Sequence, residues 1–595
     1  MKTIQRMSSM PILLTMPALG VLLAVFGIPL ILLFLTSLNA PALSLVNYVG
    51  FFAQRSYIAI LLLTLEISAV ATAICLLIGY PTAYLIAVSG RARPVLMVLV
   101  FLTWLTSALV RTYAWIVVLG DNGLINSLLL NVGLIDSPLP LIYNRFAVYV
   151  GMVHIMLPMM ILPIISVMMS IDSSLMAAAR SMGAKPFTAF LRVYFPLSIP
   201  GIRSGCILVF VVCLGFYITP QALGGLGDTM LSALINSQLT TSLDLAPTAA
   251  ASFILLAITV VVLSAVGVNL AGAHSQAASP ELKLRTDRLR VLTRAIRYLN
   301  EFVLPRRARR WTAKLYQTQH NTSWWKIFGA IFIAIVMFYL LLPGVIVIII
   351  SFNSGEFLEF PPREVSLRWY YSFFSDPSWI AAAWNSFQFG LIVSCLSTII
   401  GTMAAFGLSR CSSGLRSSLT MVILTPITIP VIVVGVAVYL GLAKLGLIGT
   451  STGIILGHTI GAIGYVVVIV MATLSGFDRT LEQAAMSMRA GPTQTFMRVT
   501  LPLIRSGIIG GALFAFLASF DEVIVTSFVG GYAIPTLPLK MLENLKQQVD
   551  PTIAAVGSLL TLLPIVWLVV LYFTLWRTQG TLGKPAMNPT YTNPH

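Results

Sequence analysis

Long uninterrupted apolar runs govern what this chain can become. Twelve stretches carry almost no charge, and each is long enough, at about 20 residues, to cross the ~30 Å hydrocarbon core of a bilayer as a helix. In the first half they lie near 11–38, 58–89, 95–120, 146–170, 199–222 and 248–270. In the second half they lie near 326–351, 384–409, 418–443, 453–475, 506–530 and 553–576. None shows the period-two alternation of barrel strands. The predicted fold class is therefore an all-α polytopic membrane protein with these 12 helices. Charged residues make up 9% of the 595, against roughly 25% in a soluble globular domain. That excludes a soluble multidomain enzyme, a disordered scaffold and a disulfide-stapled secreted protein. The 5 cysteines sit in or beside apolar runs without CxxC pairing, so no disulfide framework or zinc site is suggested. The first run, from Pro11 to about Leu38, is too long for a signal-peptide core and reads as a retained span.

The net charge of +17 does not point to nucleic acid. Lys and Arg mark the cytoplasmic flank of membrane helices. With both termini cytoplasmic, 28 of the 36 Lys and Arg fall on the inside and 7 outside, while Arg111 lies within a span. The chain is expected to cross a membrane many times. Residues 271–325 change character: small and polar residues give way to a basic series ending in RRARR at 306–310. This stretch is expected to be a cytoplasmic linker, either an amphipathic helix on the anionic lipid surface or a passive tether. It divides the chain into a first half, 1–270, and a second half, 326–595.

The halves repeat each other. At an offset of 306, residues 172–197 and 478–503 share 13 of 26 identities, among them Asp172/Asp478, Met182/Met488, Pro186/Pro492 and Arg192/Arg498. Membrane composition alone does not produce identity at charged positions and fixed spacing, so the chain is a tandem duplication. Each copy reads as two short helices on the cytoplasmic surface. Ala178-Ala179 and Ala484-Ala485 give a small helical face that another protein can approach closely. Thr480 with Gln483 fits a capping box. Pro186 and Pro492 stop one helix and open the next. Arg192 and Arg498 suit a cytoplasmic interface, and Pro196 and Pro502 mark the turn into the following span.

These loops resemble the EAA motif of binding-protein-dependent ABC importer permeases. The first copy supplies Ala177-Ala178-Ala179, Gly183, Val193 and Phe195-Pro196; the second supplies Gln483-Ala484-Ala485, Val499 and Leu501-Pro502, with Arg489 at the motif glycine, and the repeated Ala184 and Ala490 join them as coupling residues. Neither copy keeps the leading Glu in register, although Glu482 is one residue away. The resemblance implies two tandem six-helix halves and a cytoplasmic ATPase homodimer coupled through 172–197 and 478–503. It also implies an extracytoplasmic solute-binding protein, with ATP and Mg held by the partner subunits and no cofactor on this chain. Finer similarity points to the spermidine/putrescine branch. The first half carries Val110-Arg111-Thr112-Tyr113-Ala114-Trp115 and Gly215-Phe216-Tyr217-Ile218-Thr219-Pro220. The second carries Ser351-Phe352-Asn353, Asn385-Ser386 and Ser519-Phe520-Asp521-Glu522. The substrate implied is a polyamine-like cation. Relatives that carry ferric iron, aminophosphonates or other small organic solutes leave alternatives open.

Ionisable side chains within a span cost ~2.5–3.5 kcal/mol to insert and tend to face a cavity. Here they are Glu66, Arg111, Asp521 and Glu522. Asp521 and Glu522 are expected toward the outer part of the eleventh helix. There they either line the path of a cation or form a packing pair satisfied by Arg111 or hydroxyls. Tyr217, Thr219 and Trp115 are further candidates for that path, or for packing. His154 and His458 read as packing residues. No G-x-x-x-x-G-K-[ST] loop occurs, so the chain is not expected to be an enzyme. The rival reading is an ion-coupled secondary transporter, which leaves the paired loops without a purpose.

Overall fold

The computed structural model describes residues 12–242, 244–265, 323–355, 360–362, 364–531, 533–547 and 551–581. The linker at 271–325 thus lies almost wholly outside the described residues, as do Glu356 and Glu359. Within them the chain is helical, with one isolated bridge between Asn353 and Val365.

In the first half, α1 (Met16–Ser37), α2 (Arg55–Val88), α3 (Arg93–Leu105), α4 (Ala108–Leu119) and α5 (Arg145–Ser170) lead to a short surface helix, α6 (Ser173–Ser181). The half ends with α7 (Pro186–Gly215), α8 (Ile218–Leu223), α9 (Leu231–Thr241) and α10 (Ala246–Ala265). The second half repeats the order. It runs through α11 (Ser323–Ile350), α12 (Pro377–Arg410), α13 (Ser413–Thr428), α14 (Val431–Lys444) and α15 (Ser451–Ser475). Surface helix α16 (Thr480–Ser487) precedes α17 (Pro492–Phe520), α18 (Ile524–Val529), α19 (Leu537–Gln547) and α20 (Thr552–Thr581). Among the described residues 10 helices are long and apolar enough to cross a membrane, or 11 with the bent pair α13–α14 taken as one span. Helix α20 stands where the twelfth run was expected.

Three differences from the sequence expectation shape the bundle. The run at 95–120 is not one helix: Thr106 and Ser107 adopt extended ψ values of 138° and 136° and separate α3 from α4. Its counterpart breaks at Ile429-Pro430, where α13 and α14 meet at 96°. Pro430 disfavours the helical conformation at the residue before it, and Ile429 is extended at ψ 145°. The fifth and eleventh runs start earlier than expected and stop earlier. Pro186 and Pro492 open helices that continue into the spans through π-turns at Phe190–Tyr194 and Phe496–Thr500. Each widened turn ends one residue short of a proline, Pro196 or Pro502, and makes room for the ring and the missing N–H there. Those prolines therefore sit inside a continuous helix, not in a turn. At the far end both helices break again, after Gly215 and after Phe520.

Small residues let the helices of each half close up, as apolar packing in lipid requires. A Cβ on Gly79 or Gly205 would meet Met160 of α5 at 3.0 and 2.9 Å. The matching Gly401 and Gly511 face Val466 of α15 at 2.8 and 3.3 Å. The halves also exchange their leading helices. Ala18, Leu22, Val25 and Phe26 of α1 pack with Phe389, Leu408, Val434 and Val438 of the second half. Reciprocally, Val336, Met337 and Leu340 of α11 pack into the first half's core around Met156 and Met160.

Candidate functional site

At one end of the bundle the two repeated loops form matched handles. Asp172 precedes α6 and its carboxylate accepts the Ser174 N–H at 2.9 Å; Asp478 accepts the Thr480 N–H at 2.9 Å. In both, the backbone and hydroxyl hydrogen bonds hold the acid below its usual carboxylate range. The capping box expected from Thr480 and Gln483 does not form: Arg479 is the N-cap and makes no side-chain cap bond, because Asp478 already takes the free amide. Each handle ends in the same Schellman turn. Ala184 N–H donates to Ala179 O at 3.0 Å, with Gly183 at φ +84°. Ala490 N–H donates to Ala485 O at 3.1 Å, with Arg489 at φ +65°. That left-handed position suits glycine and burdens any L side chain. The turn is kept despite Arg489.

The alanine pairs divide their work. Ala178 and Ala484 are exposed, whereas Ala179 and Ala485 are each 5% exposed and face the bundle. The outward face expected of both alanines in each pair belongs to one of them. It is enlarged by apolar side chains that sequence reasoning did not select: Leu175, Met182 and Phe187 in the first handle, Leu481, Met486 and Met488 in the second. Met182 and Met488 are 83% and 79% exposed. Their identity at the repeat offset was the available signal. Pro186, Pro492, Arg192 and Arg498 are exposed on the same end. Ala184 and Ala490 are half-buried below the turn.

Between the halves, the broken helices bring polar groups together. Asp521 does not lie within a helix; it caps the end of α17, its N–H bonded to Leu517 O at 3.0 Å. Its carboxylate accepts a hydrogen bond from Ser107, the first residue before α4. One turn on, Arg111 Nε reaches Ser107 O at 3.4 Å and its Nη1 reaches Ile155 O at 3.4 Å. Glu522 turns the other way. Its carboxylate accepts the N–H groups of Val525 and Thr526 at 2.9 and 3.0 Å and so caps α18. His458 Nε2 stands 3.3 Å from it, bonds Thr526 Oγ1 at 2.9 Å, and its Nδ1 bonds Ser519 Oγ at 2.8 Å. His458 thus belongs to a polar network, while His154 packs beside Trp115 and Tyr339, bonded to Leu340 O at 3.1 Å.

The remaining candidates are buried among packed side chains. Trp115 is 4% exposed, its ring against His154 and Tyr339. Tyr217 is 1% exposed in the cluster that includes Ile432, Val436 and Val523. Thr219 shares a 2.7 Å hydrogen bond with Thr112 between α8 and α4. Among the described residues no group of three or more His, Cys, Asp or Glu is placed to hold a metal ion.

Comparison with known proteins places both handles inside a family match. The profile described as "Binding-protein-dependent transport system inner membrane component" matches residues 76–278 and 397–578. Among curated proteins, the spermidine/putrescine transport system permease protein PotB of Haemophilus influenzae is 37% identical over 193 residues, 32% of this chain and 67% of that protein. PotB of Escherichia coli K12 is 34% identical over 183 residues, 31% of this chain and 66% of the relative. The putrescine transport system permease protein PotI of Escherichia coli K12 is 31% identical over 233 residues, 37% of this chain and 81% of the relative.

Proposed function

We propose a function from one established premise: this chain belongs to the family of binding-protein-dependent transport system inner membrane components, and it carries that domain twice. It is a multi-pass transport permease, not an enzyme. Our reading is that its two halves together form the translocation path of an ATP-driven ABC importer in a bacterial inner membrane, with both termini cytoplasmic. The most fitting cargo is a small polyamine-like cation, the solute class named for PotB and PotI.

The observation that carries this reading is the pair of handles. Two copies of one helix-turn element recur at the repeat offset, with Ala178/Ala484, Leu175/Leu481 and Met182/Met488 outward and Ala179/Ala485 inward. A duplicated docking element calls for a duplicated partner, and a homodimeric ATPase has that symmetry. Ala178 and Ala484 leave room for close approach, and the exposed methionines offer adaptable apolar contact. ATP and Mg belong to that partner. Its closure would displace α6 and α16, and with them α7 and α17, which start in the same loops. The breaks at Ser107, Pro430, Gly215 and Phe520 are where such displacement turns into opening, because helices bend where their hydrogen-bond ladder is interrupted. A solute-binding protein delivers cargo at the opposite end. Asp521, partly exposed between the halves, is the carboxylate best placed to attract a passing cation.

Reconstitution tests this. In liposomes with its co-purifying ATPase and solute-binding protein, the chain should take up labelled spermidine or putrescine only when ATP is hydrolysed. Uptake confined to ferric iron or an aminophosphonate would keep the machine and replace the cargo. Uptake driven by an ion gradient without ATP would remove the importer reading.

A further inference from the structure

The two handles are matched outside but fastened differently inside. In the second half, the fastening is ionic. Glu482, on α16 and 7% exposed, receives Arg410 Nη2 on both carboxylate oxygens at 2.6 Å, and Thr500 Oγ1 donates to it as well. Arg410 is the last residue of α12, and its guanidinium stacks on Phe406 of that helix. A second arginine, Arg479, donates to Ser409 O beside it. The ring of Phe406 in turn meets Phe496, in the π-turn of α17, at 4.7 Å. Three elements, α12, α16 and α17, therefore converge on one buried carboxylate.

The first half keeps the aromatic contact, with Phe190 for Phe496, and puts different chemistry at the charged places. At the repeat offset Glu482 is matched by Met176 and Thr500 by Tyr194. Helices α2 and α12, both 34 residues long, match Arg410 with Val88 and Phe406 with Tyr84. Met176 packs on an apolar cluster with Tyr84, Phe190 and Tyr194. Tyr84 meets Phe190 at 5.3 Å and Tyr194 at 5.4 Å. Val88 is 56% exposed and takes no part.

A charge buried at a handle's root is costly unless it is paired, and removing one partner leaves the other uncompensated. Its stability value is small compared with an apolar substitute, so a structural rationale for keeping it has to be sought in what it holds in place. We propose that Arg410 and Glu482 are positioning residues that brace the second handle to the end of α12. The two handles would then pass a motor's displacement to the bundle through unlike linkages, aromatic alone in the first half and aromatic with an added ion pair in the second. The brace makes α12 move with α16. Without it, α16 can follow the motor while α12 stays behind. This inference rests on the handles being the sites where the ATPase docks.

The test uses the full complex in nanodiscs and liposomes, with labelled spermidine as probe. Glu482→Gln should leave ATP hydrolysis close to that of the parent and lower solute uptake per ATP by roughly five- to tenfold, the range of a modest coupling energy. The double variant Arg410→Met with Glu482→Met, which buries no charge, should regain the parent's ratio. Spin labels at the exposed positions Gln483 and Ser413 report the brace without any transport. Their distance distribution should broaden in Glu482→Gln and narrow again in the double variant. An unchanged ratio or an unchanged distribution in Glu482→Gln overturns the brace. A double variant that fails to regain the ratio overturns it in favour of a direct contact between Glu482 and the motor. If Glu482→Gln does not assemble, Thr500→Val, which keeps the ion pair and removes one hydrogen bond, must lower the ratio for the proposal to stand. A parent complex without ATP-driven spermidine uptake would indict the functional reading, and the spin-label arm would still decide the brace.

Discussion

Asp521 accepts a hydrogen bond from Ser107 across the boundary between the two halves. The same crossing in the other direction is Gly215 against Pro430, where a Cβ on the glycine would lie 3.0 Å from Val431 N and 3.1 Å from Pro430. Ser107 and Pro430 both precede the second piece of a broken span, with φ of −51° and −52°. Gly215 and Asp521 both close the long helix that begins in a handle. One polar crossing and one close-packed crossing thus occupy equivalent places. A carboxylate stands at one of these crossings and a glycine at the other.

Asp521→Asn keeps the hydrogen bond to Ser107 and removes the charge. Spermidine uptake should fall by about tenfold, equivalent to ~1.4 kcal/mol, while the ATPase still co-purifies. Unchanged uptake in an intact complex would take Asp521 out of the path.

Gly215→Val should wedge the opposite crossing. Its branches would press on Pro430 and on backbone that does not yield, costing about 1–3 kcal/mol. The expected result is a lower unfolding temperature of the solubilised chain together with lost uptake; parent-like stability would mean that the halves do not meet as tightly as described.

Arg489→Gly should stabilise the second handle. A left-handed residue with a side chain costs about 1 kcal/mol relative to glycine, and the first handle already uses Gly183 at φ +84°. Hydrogen exchange of the α16 amides should slow, and docking of the ATPase should not weaken. Faster exchange would mean that the Arg489 side chain supports the turn.

Ala179→Leu and Ala178→Asp should both impair ATPase co-purification, for different reasons. The first overpacks a buried contact by about 1–3 kcal/mol and lowers thermal stability. The second alters only the exposed face and leaves stability unchanged. Equal thermal stability in both would contradict the inward position of Ala179.

The caps give a pH signature. Asp172 and Asp478 have folded values below the ordinary 3.8. A depressed acid adds stability above the unfolded value, and the addition is lost as pH falls through the folded one. Handle amides should therefore keep constant protection from neutral pH down to the region of 3.8 and lose it only below. Loss of protection near pH 6 would point to another group.

Much of this was legible in the residues. Apolar length gave the spans, and identity at Asp172/Asp478, Pro186/Pro492 and Arg192/Arg498 gave the repeat and its handles. The breaks were less visible. Pro430 signals one, but Thr106-Ser107 contains neither Gly nor Pro, and hydropathy runs through it unchanged. The π-turns before Pro196 and Pro502 hid the continuity of α7 and α17, since proline in a sequence reads as a stop. Pairing was invisible in principle. Glu482 and Arg410 are 72 residues apart, and His458 reaches Ser519 and Thr526 at 61 and 68. Such partners are set by which helices cross, and one sequence does not encode that in any local pattern.

The exchange of leading helices fixes an order of biogenesis. When α1 enters the bilayer, the surface that will receive Ala18, Leu22 and Phe26 has not yet been translated, because it belongs to α12 and α14. Lipid is a tolerable interim neighbour for such side chains, so this part of α1 waits until residues up to 444 have been made, while Phe34 near its other end already has Phe253 of α10 at 5.1 Å. Joining the halves in one chain guarantees that the awaited surface arrives from the same messenger, in equal amount, and within reach.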